Sequence, residues 1–285
     1  MNYDVIVLGS GPAGLSAAVT ARGRGKRVLV VGNRWQDSPL ARAERVDNYL
    51  GMPGVTGPEM MEQFHGHAES MGVEFVEGRV ISLMAWDGYA LTVGSDMYQG
   101  TTLILAPGVV RQAKYPGEEN YLGRGVSYCA TCDGMLYRKR PVVVAGLSKD
   151  APQEANYLQE IGCQVTYVSP RQPEGLRADI PFHRGRALVV KGSEKVEALL
   201  ADEQELPCEG VFILREAVAP NDLLPGLEME NSAIKVDRSM ATNLTGVFAA
   251  GDCTGAPLQI SKAVGEGLVA ALSACEYLDK RAREQ

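Results

Sequence analysis

Apolar and polar positions alternate along the chain in two blocks, and each block predicts a strand, a turn, a helix and another strand. In the first block, apolar runs at 4–8 and 27–31 flank a stretch of small and apolar residues at 15–22. A strand, helix and strand at this spacing are typical of a βαβ unit with parallel strands. The second block repeats the pattern, with apolar runs at 141–146 and 164–168. The pattern therefore predicts an α/β protein.

The rest of the chain adds further helices and short strands to this prediction. A helix at 58–72 begins at Pro58 and ends at Gly72, since proline suits the first turn of a helix and glycine suits its end. The helix of the second block is expected at 151–161, and the last helix at 258–278. Further strands are predicted at 74–76, 80–85, 90–93, 102–108, 187–191, 195–199, 210–214 and 242–252.

Length and composition are those of a globular protein with two domains. The chain has 285 residues, more than one ordinary core holds, and 45% of them are hydrophobic. No apolar run in the sequence reaches the ~18–20 residues of a membrane span. Met1 leads almost directly into the first apolar run without the basic segment of a secretory signal. We therefore expect a cytoplasmic protein with no membrane partner.

Charge is spread unevenly along the chain. The net charge of −7 argues against nucleic acid as a partner of the whole surface. Residues 111–195 nevertheless carry 13 lysines and arginines against 9 aspartates and glutamates. Such a basic segment suits an acidic partner, although scattered solvated arginines would give the same count.

The turn after the first predicted strand has the glycine spacing of a dinucleotide-binding loop. Gly9 permits the tight turn, Gly11 lets a pyrophosphate approach backbone amides at the helix start, and Gly14 lets helix and strand pack closely. Ser10 and Ala13 belong to the same loop. Because one strand precedes the loop and another follows it, the sequence predicts that this segment binds a dinucleotide.

Polar residues at the ends of two other predicted strands are candidate cofactor contacts. Asn33 stands where an acidic residue commonly binds a ribose, and it could bind a ribose hydroxyl. Trp35 could pack over an adenine, or could pack without a ligand. Gly251 and Asp252 end an apolar strand, where a carboxylate could accept a hydrogen bond from a sugar-alcohol hydroxyl. The alternative is that Asp252 caps the last helix.

Cys129 and Cys132 are a close pair among six cysteines. Two cysteines at this spacing, at the start of a helix, can form a disulfide and can hold one thiolate at a lowered pKa. In a reducing compartment this indicates a redox pair. Cys163 and Cys208 are isolated, so they supply no second close pair for a zinc site, and we expect no metal.

These motifs, in this order and spacing, resemble the low-molecular-weight thioredoxin reductases over nearly the whole chain. The loop at 9–14 matches the family's FAD pyrophosphate loop, and residues 129–133 match its active site. The resemblance implies an FAD-binding domain, 1–113 with 241–285, interrupted by a smaller domain, 114–240, that carries the disulfide. Both domains would be Rossmann-like, each with the three-layer ββα architecture of two layers of strands and one of helices. The protein would be an FAD-dependent disulfide oxidoreductase that forms a homodimer and reduces thioredoxin.

The resemblance also implies roles for individual residues. Cys132 would lie nearer the flavin, Cys129 would attack the thioredoxin disulfide, and Asp133 would donate a proton. The residues expected to bind FAD, from the motifs and the resemblance together, are Gly9, Ser10, Gly11, Ala13, Gly14, Asn33, Asn48, Gly251, Asp252, Gln259 and Ile260.

The turn of the second βαβ block departs from the family pattern. It keeps only the first glycine, Gly146, and bulkier side chains, including Leu147 and Ser148, stand where a pyrophosphate must touch the backbone; the family's basic stretch for NADPH is also absent. A single arginine, Arg171, stands where a 2′-phosphate would be bound. This combination resembles the flavin-type ferredoxin:thioredoxin reductases, which implies a ferredoxin donor in place of NADPH. An NADPH-dependent thioredoxin reductase and a flavin-binding redox sensor without turnover remain alternatives.

Overall fold

The chain divides into two compact units, the second inserted in the first. Unit 1 comprises Met1–Val110 and Ala219–Gln285, and unit 2 comprises Arg111–Val218. The predicted domain limits after residues 113 and 240 stay a prediction, and residue 113 lies outside the described part of the chain. The computed structural model describes residues 2–94, 96–109, 114–215 and 220–284.

Strands and helices alternate through the described residues. The strands are β1 (Asn2–Leu8), β2 (Val28–Gly32), β3 (Glu74–Glu77), β4 (Val80–Ala85), β5 (Tyr89–Val93), β6 (Asp96–Leu105), β7 (Val126–Ser127), β8 (Pro141–Leu147), β9 (Gln164–Ser169), β10 (Phe182–Arg184), β11 (Leu188–Gly192), β12 (Val196–Ala201), β13 (Gln204–Pro207), β14 (Gly210–Arg215), β15 (Met229–Glu230), β16 (Ala233–Ile234) and β17 (Val247–Ala249). The α-helices are α1 (Pro12–Gly23), α2 (Gly57–Ser70), α3 (Ala130–Asp133), α4 (Ala151–Glu160), α5 (Pro220–Leu223) and α6 (Ile260–Glu284). Single 3₁₀ turns lie at Trp35–Asp37, Leu40–Arg42, Glu119–Tyr121, Gly134–Tyr137 and Asp252–Thr254.

The large sheet of unit 1 has the strand order β3-β2-β1-β6-β5-β4, and β17 also pairs with β6. The strands pair in parallel among β3, β2, β1, β6 and β17. An antiparallel meander is formed by β4, β5 and β6. Side chains of β1 point alternately to two cores. Val5 and Val7 pack with α1 and α6, while Ile6 and Leu8 pack on the opposite face. This packing fixes the end of β1 beside the start of α1.

Unit 2 has three layers. A parallel sheet with the order β10-β9-β8-β14-β7 lies between helices and a three-stranded antiparallel sheet, β11-β12-β13. The alternation along β8 builds both interfaces: Val143 and Ala145 face the antiparallel sheet, and Val142 and Val144 face α3 and α4. The redox cysteines therefore stand on the helical side of this unit, at the end of β7.

The structure corrects several predicted boundaries. The last helix begins at Ile260 and continues to Glu284, because ion pairs such as Lys280–Glu276 and Lys26–Asp279 stabilise its polar end. The strand β13 is missing from the prediction, since among its four residues only Leu206 is buried. Within the range 242–252, which the sequence predicts as a strand, only Val247–Ala249 (β17) is a strand.

The predicted α/β class, with two parallel-sheet units of which the second carries the cysteine pair, is confirmed. Among the described helices, none has both the length and the apolar character needed to cross a bilayer.

Candidate functional site

The turn between β1 and α1 is shaped by its three glycines. A Cβ on Gly9 would lie 2.1 Å from the carbonyl oxygen of Ala106, and a Cβ on Gly14 would lie 1.9 Å from that of Gly9. Gly11 is different, because a Cβ there would meet nothing within 4 Å. Gly11 is also the N-cap of α1, and no side chain caps the helix. The start of α1 therefore has open space beside Gly11 and no capping side chain on its first amides, an arrangement that suits a phosphate.

Other predicted residues of unit 1 assemble around this turn. The Oγ of Ser10 donates a hydrogen bond to the carbonyl oxygen of Asn33 at 2.6 Å, while the Asn33 side chain is exposed. A Cβ on Gly251 would lie 2.7 Å from Cβ of Ala13, so the end of β17 touches α1. Trp35 is partly buried against the unit 1 core, with its ring 6.4 Å from that of His65.

Asn48 and Gln259 are far apart in sequence but meet in the fold. The Asn48 amide donates to Oε1 of Gln259 at 2.8 Å. Gln259 directly precedes Ile260, the first residue of α6. The two exposed amides and the start of α6 therefore form one polar group at the surface of unit 1.

Asp252 begins a 3₁₀ turn directly after Gly251. The alternative that Asp252 caps the last helix is wrong, because α6 begins only at Ile260. Burial raises the pKa of Asp252, with Lys262 lowering it and Glu266 raising it further. Within the described residues, no group donates a hydrogen bond to its carboxylate. A half-buried carboxylate without a donor suits a ligand hydroxyl.

A lysine and a glutamate of α6 brace the turn that carries Asp252, and the sequence analysis missed them. Lys262 Nζ donates to the carbonyl oxygens of Gly251 and Gly255, each at 2.8 Å. Glu266 accepts from the Gly251 amide at 2.9 Å and pairs with Lys262 at 3.0 Å. Their spacing of one helical turn is visible in the sequence, but their target becomes visible only in the fold.

Cys129 and Cys132 form a disulfide with a Cα–Cα distance of 5.3 Å. Cys129 is the N-cap of α3, and its Sγ accepts a hydrogen bond from the Cys132 amide at 2.9 Å. Cys129 is 5% exposed, whereas Cys132 is exposed. The two sulfurs thus differ in access to solvent, and Cys132 is the one at the surface.

Ser127, the last residue of β7, joins the predicted proton donor to the disulfide. Its Oγ lies 2.6 Å from Oδ2 of Asp133 and 3.1 Å from the Cys129 amide nitrogen, which donates to it. Ser127 is 4% exposed, so this contact is shielded from water. The side chain of Asp133 is held on the same short stretch as the two sulfurs.

The corresponding turn of unit 2, between β8 and α4, has a different shape. A Cβ on Gly146 would lie 1.8 Å from the hydroxyl of Tyr167, whose pKa burial raises to about 12. The Oγ of Ser148 is buried with no hydrogen-bond partner in the described part of the chain. The helix begins at Ala151, five positions after the first glycine, whereas α1 begins at Pro12, three positions after Gly9.

The four remaining cysteines are buried thiols. Burial raises the pKa of Cys208 and of Cys253 to about 12, and it also raises the pKa of Cys163 and of Cys275. Across the residues that the structure describes, no three His, Cys, Asp or Glu side chains cluster as metal ligands would. Thiol chemistry therefore centres on Cys129 and Cys132.

The sequence matches the family described as pyridine nucleotide-disulphide oxidoreductase over residues 3–267. The chain belongs to this family. A thioredoxin reductase of Aquifex aeolicus is 33% identical over 96% of this chain and 90% of its own length. A solved ferredoxin-flavin thioredoxin reductase of Clostridium acetobutylicum is 41% identical, covers 98% of this chain and 99% of its own, and has a TM-score of 0.90. A second such structure from that organism is 39% identical, covers 99% of both chains and has a TM-score of 0.85.

Membership confirms the resemblance to thioredoxin reductases. Pyridine nucleotide-disulphide oxidoreductases of this kind are flavoproteins, and FAD is the cofactor of this chain. The residues of unit 1 fit that cofactor. The open space beside Gly11 at the start of α1 suits its pyrophosphate, and the Asp252 carboxylate, which accepts no hydrogen bond from any described residue, suits one of its hydroxyls. The chain is a flavin-dependent disulfide oxidoreductase.

Proposed function

We propose that this chain reduces a thioredoxin with electrons drawn from a ferredoxin through bound FAD and the Cys129–Cys132 disulfide. The turn of unit 2 carries this proposal: its helix starts late, and Ser148 stands in place of an open glycine. A pyrophosphate there would meet side chains instead of helix amides. The similarity to a protein named as a ferredoxin-flavin thioredoxin reductase supports the same donor.

In this proposal, unit 1 holds FAD. Gly9, Ser10, Gly11, Ala13 and Gly14 bind its pyrophosphate through the start of α1, and Asn33 binds a ribose hydroxyl. Asn48, Gln259 and Ile260 contact the flavin, and Gly251 and Asp252 hold its sugar-alcohol chain. When bound, FAD supplies the exchange between a donor of single electrons and a disulfide that needs two.

The disulfide of unit 2 passes the electrons on. Two electrons and two protons convert the Cys129–Cys132 disulfide into two thiols, with Cys132 assigned as the sulfur nearer the flavin. Cys129, as a thiolate, attacks the thioredoxin disulfide and forms a mixed disulfide, a step that requires this residue, 5% exposed in the disulfide form, to become accessible. Cys132 then closes the ring and releases reduced thioredoxin. Asp133, held by Ser127, takes the proton that each cysteine gives up on becoming a thiolate and donates it to the leaving thiolate of thioredoxin.

The energetics favour this direction. An iron–sulfur donor near about −400 mV and a thioredoxin disulfide near about −270 mV differ enough to release about 6 kcal/mol for two electrons. Acidic ferredoxins also suit the basic segment of unit 2. Exposed basic residues proposed to contact the donor are Arg138, Lys139, Arg140, Lys149 and Arg171.

The remaining parts of the proposal rest on the family resemblance. They are a homodimer in the cytoplasm, without nucleic acid or membrane as partner. The FAD-binding domain is 1–113 with 241–285, and the disulfide domain is 114–240.

Anaerobic titration of the purified protein tests the donor. Reduced ferredoxin is expected to bleach the visible flavin absorbance and to support steady reduction of a thioredoxin, while stoichiometric NADPH leaves the absorbance unchanged. A Cys129→Ser, Cys132→Ser variant is the control, because it should bleach without turnover. Rapid bleaching by NADPH with turnover would instead identify an NADPH-dependent thioredoxin reductase. Inertness toward thioredoxin with every donor would indicate a redox sensor.

The separate roles of the two sulfurs predict different absorbance spectra for the two single-cysteine variants. Replacing Cys129 with Ser leaves Cys132 as a thiolate beside the flavin, which should produce a long-wavelength charge-transfer absorbance. The Cys132→Ser variant should lack this band. Absorbance spectra of the two variants, recorded with the flavin oxidised and the remaining cysteine as a free thiol, measure it, and a band in Cys132→Ser alone would exchange the two assignments.

A further inference from the structure

A fully buried carboxylate lies near the redox turn and has no part in the reaction steps above. Glu118 is 0% exposed and is paired with Arg215, which is 8% exposed. The two terminal nitrogens of the guanidinium, Nη1 and Nη2, donate to the carboxylate, each at 2.6 Å. A buried ion pair needs its remaining polar sites satisfied, because unpaired charge in a protein interior is costly.

The remaining donors to Glu118 come from two tyrosines. The amide of Tyr115 donates to Oε2 at 2.8 Å, and the hydroxyl of Tyr128 donates to Oε1 at 2.9 Å. Each carboxylate oxygen therefore accepts two hydrogen bonds. Burial alone would raise the pKa of Glu118, but hydrogen bonds from Arg215, Tyr115 and Tyr128 bring that pKa below its ordinary value. The group stays charged and fixed.

These contacts join three parts of unit 2. Tyr115 belongs to the first described segment of the unit, and Arg215 is the last residue of β14. Tyr128 stands between β7 and Cys129, so its side chain ties the backbone beside the first sulfur to the ion pair. The Arg215 guanidinium also lies 5.2 Å from the centre of the Tyr115 ring.

The two residues before Cys129 are anchored in different places. Ser127 binds Asp133 and accepts from the Cys129 amide, while Tyr128 binds Glu118. Anchoring both residues limits how far the Cys129 backbone can move when the disulfide opens. A restricted backbone keeps the reduced sulfurs close together, which favours closure of the ring because less conformational entropy is lost.

We propose that Glu118 is a positioning residue for the redox pair, acting through Tyr128 to keep Cys129 within reach of Cys132. The inference rests on the redox role in the proposed function but not on the identity of the electron donor. Stability alone does not explain why unit 2 contains this ion pair, since buried ion pairs are often no more stabilising than apolar side chains. Positioning the redox pair gives Glu118 and Arg215 a chemical role.

The test is a redox titration of the holoenzyme that uses neither ferredoxin nor thioredoxin. The protein is equilibrated with reduced and oxidised dithiothreitol, in which one dithiol gives two electrons and two protons to the Cys129–Cys132 disulfide. Acid quenching and alkylation then count the thiols. Tyr128→Phe is expected to lower the equilibrium constant for disulfide closure about tenfold, a shift of about 30 mV to less negative potential. Glu118→Gln should shift it in the same direction.

Tyr121→Phe is the matched control, because Tyr121 also donates its hydroxyl within unit 2, to the carbonyl oxygen of Gly192. Its disulfide potential should equal that of the wild type. An unchanged potential in Tyr128→Phe, or an equal shift in Tyr121→Phe, would overturn the proposal. A thiol count that never changes with dithiothreitol would instead refute the redox role itself, and thereby the proposed function.

Discussion

The two βαβ turns of this protein, one in each unit, have the same position in the fold and different surfaces. In unit 1 the helix starts at once after Gly11, and the space beside that glycine is open. In unit 2 the helix starts later, and Ser148 and Ala151 stand at the positions of Gly11 and Gly14. Topology alone therefore does not decide which unit binds a dinucleotide. The clearance around the backbone at the helix start differs between the two units, and the proposed absence of NADPH binding rests on that difference.

The packing of the helix behind each turn also differs between the two units. Gly14 lets α1 approach the backbone of Gly9, whereas Ala151 is fully buried with its methyl group in place, so α4 has room for a side chain there. The first glycine of the turn is required in both units, because in each unit a different neighbour leaves no room for a Cβ. Gly9 lies against the backbone of Ala106, and Gly146 lies against the ring of Tyr167.

The largest effect should follow from adding a methyl group behind the open turn. In Gly14→Ala the new Cβ would overlap a backbone oxygen, which cannot move without separating α1 from β1. We expect a loss of about 3 kcal/mol or more of unfolding free energy and loss of bound FAD. Urea unfolding and the ratio of absorbance at 450 and 280 nm measure both.

Gly11→Ala is the control for this change, because its methyl group meets open space in the protein. It should fold normally but bind FAD about a hundredfold more weakly, since about two charged hydrogen bonds to the pyrophosphate are lost. Equal FAD affinity in Gly11→Ala and the wild type would contradict the pyrophosphate site.

The same change in unit 2 should affect stability but not FAD. The Cβ of Gly146→Ala would overlap the Tyr167 ring, and we expect a loss of about 1–3 kcal/mol of unfolding free energy. Adding Tyr167→Leu should recover part of that loss, because the smaller side chain leaves room for the methyl group. Denaturation curves of the single and double variants measure the recovery, and a double variant no more stable than Gly146→Ala would rule out this contact.

Asp252→Asn should weaken FAD binding and should remove a pH-dependent loss of stability from the apoprotein. Replacing the carboxylate should weaken FAD binding about tenfold, the value of one charged hydrogen bond. Burial raises the pKa of Asp252, so the folded apoprotein holds that proton more tightly than the unfolded chain. Wild-type apoprotein should therefore lose stability as pH rises from the ordinary aspartate pKa through the raised one. The Asn variant should lack that loss, and melting temperatures across this pH range measure it.

The smallest effect is expected from removing the two side chains that follow Gly146. Leu147→Gly with Ser148→Gly should give no NADPH-dependent flavin bleaching, because the start of α4 at Ala151 is unchanged. Ferredoxin-driven turnover should also stay at the wild-type level. Anaerobic absorbance titration measures the first, and appearance of NADPH-driven turnover would show that two side chains alone exclude the nucleotide.

Much of the architecture follows from local patterns. The apolar runs of β1, β2, β8 and β9 are long and regular, so their strands and the α/β class could be predicted from the sequence. The glycine loop and the cysteine pair could be found too, because each depends on close spacing along the chain. The short β13 and the true ends of α6 could not, since long-range contacts determine them.

The candidate site shows the same limit. The contact between Asn48 and Gln259, and the bracing of the Gly251 turn by Lys262 and Glu266, join residues whose pairing no local spacing indicates. The buried pair of Glu118 and Arg215 belongs to this class as well. Side chains that act on residues distant in sequence leave no periodic signal.

The sequence by itself determined which chemistry the protein carries: two cysteines at redox spacing and a glycine turn open to a phosphate, both set by covalent neighbours. Only the tertiary structure decided how that chemistry is supported. Three features depend on which strands lie side by side: Tyr167 behind Gly146, the donors around Glu118, and the environment of Asp252, whose carboxylate no residue in the described ranges donates to. Burial and hydrogen-bond satisfaction are properties of the packed chain, and no single segment contains them.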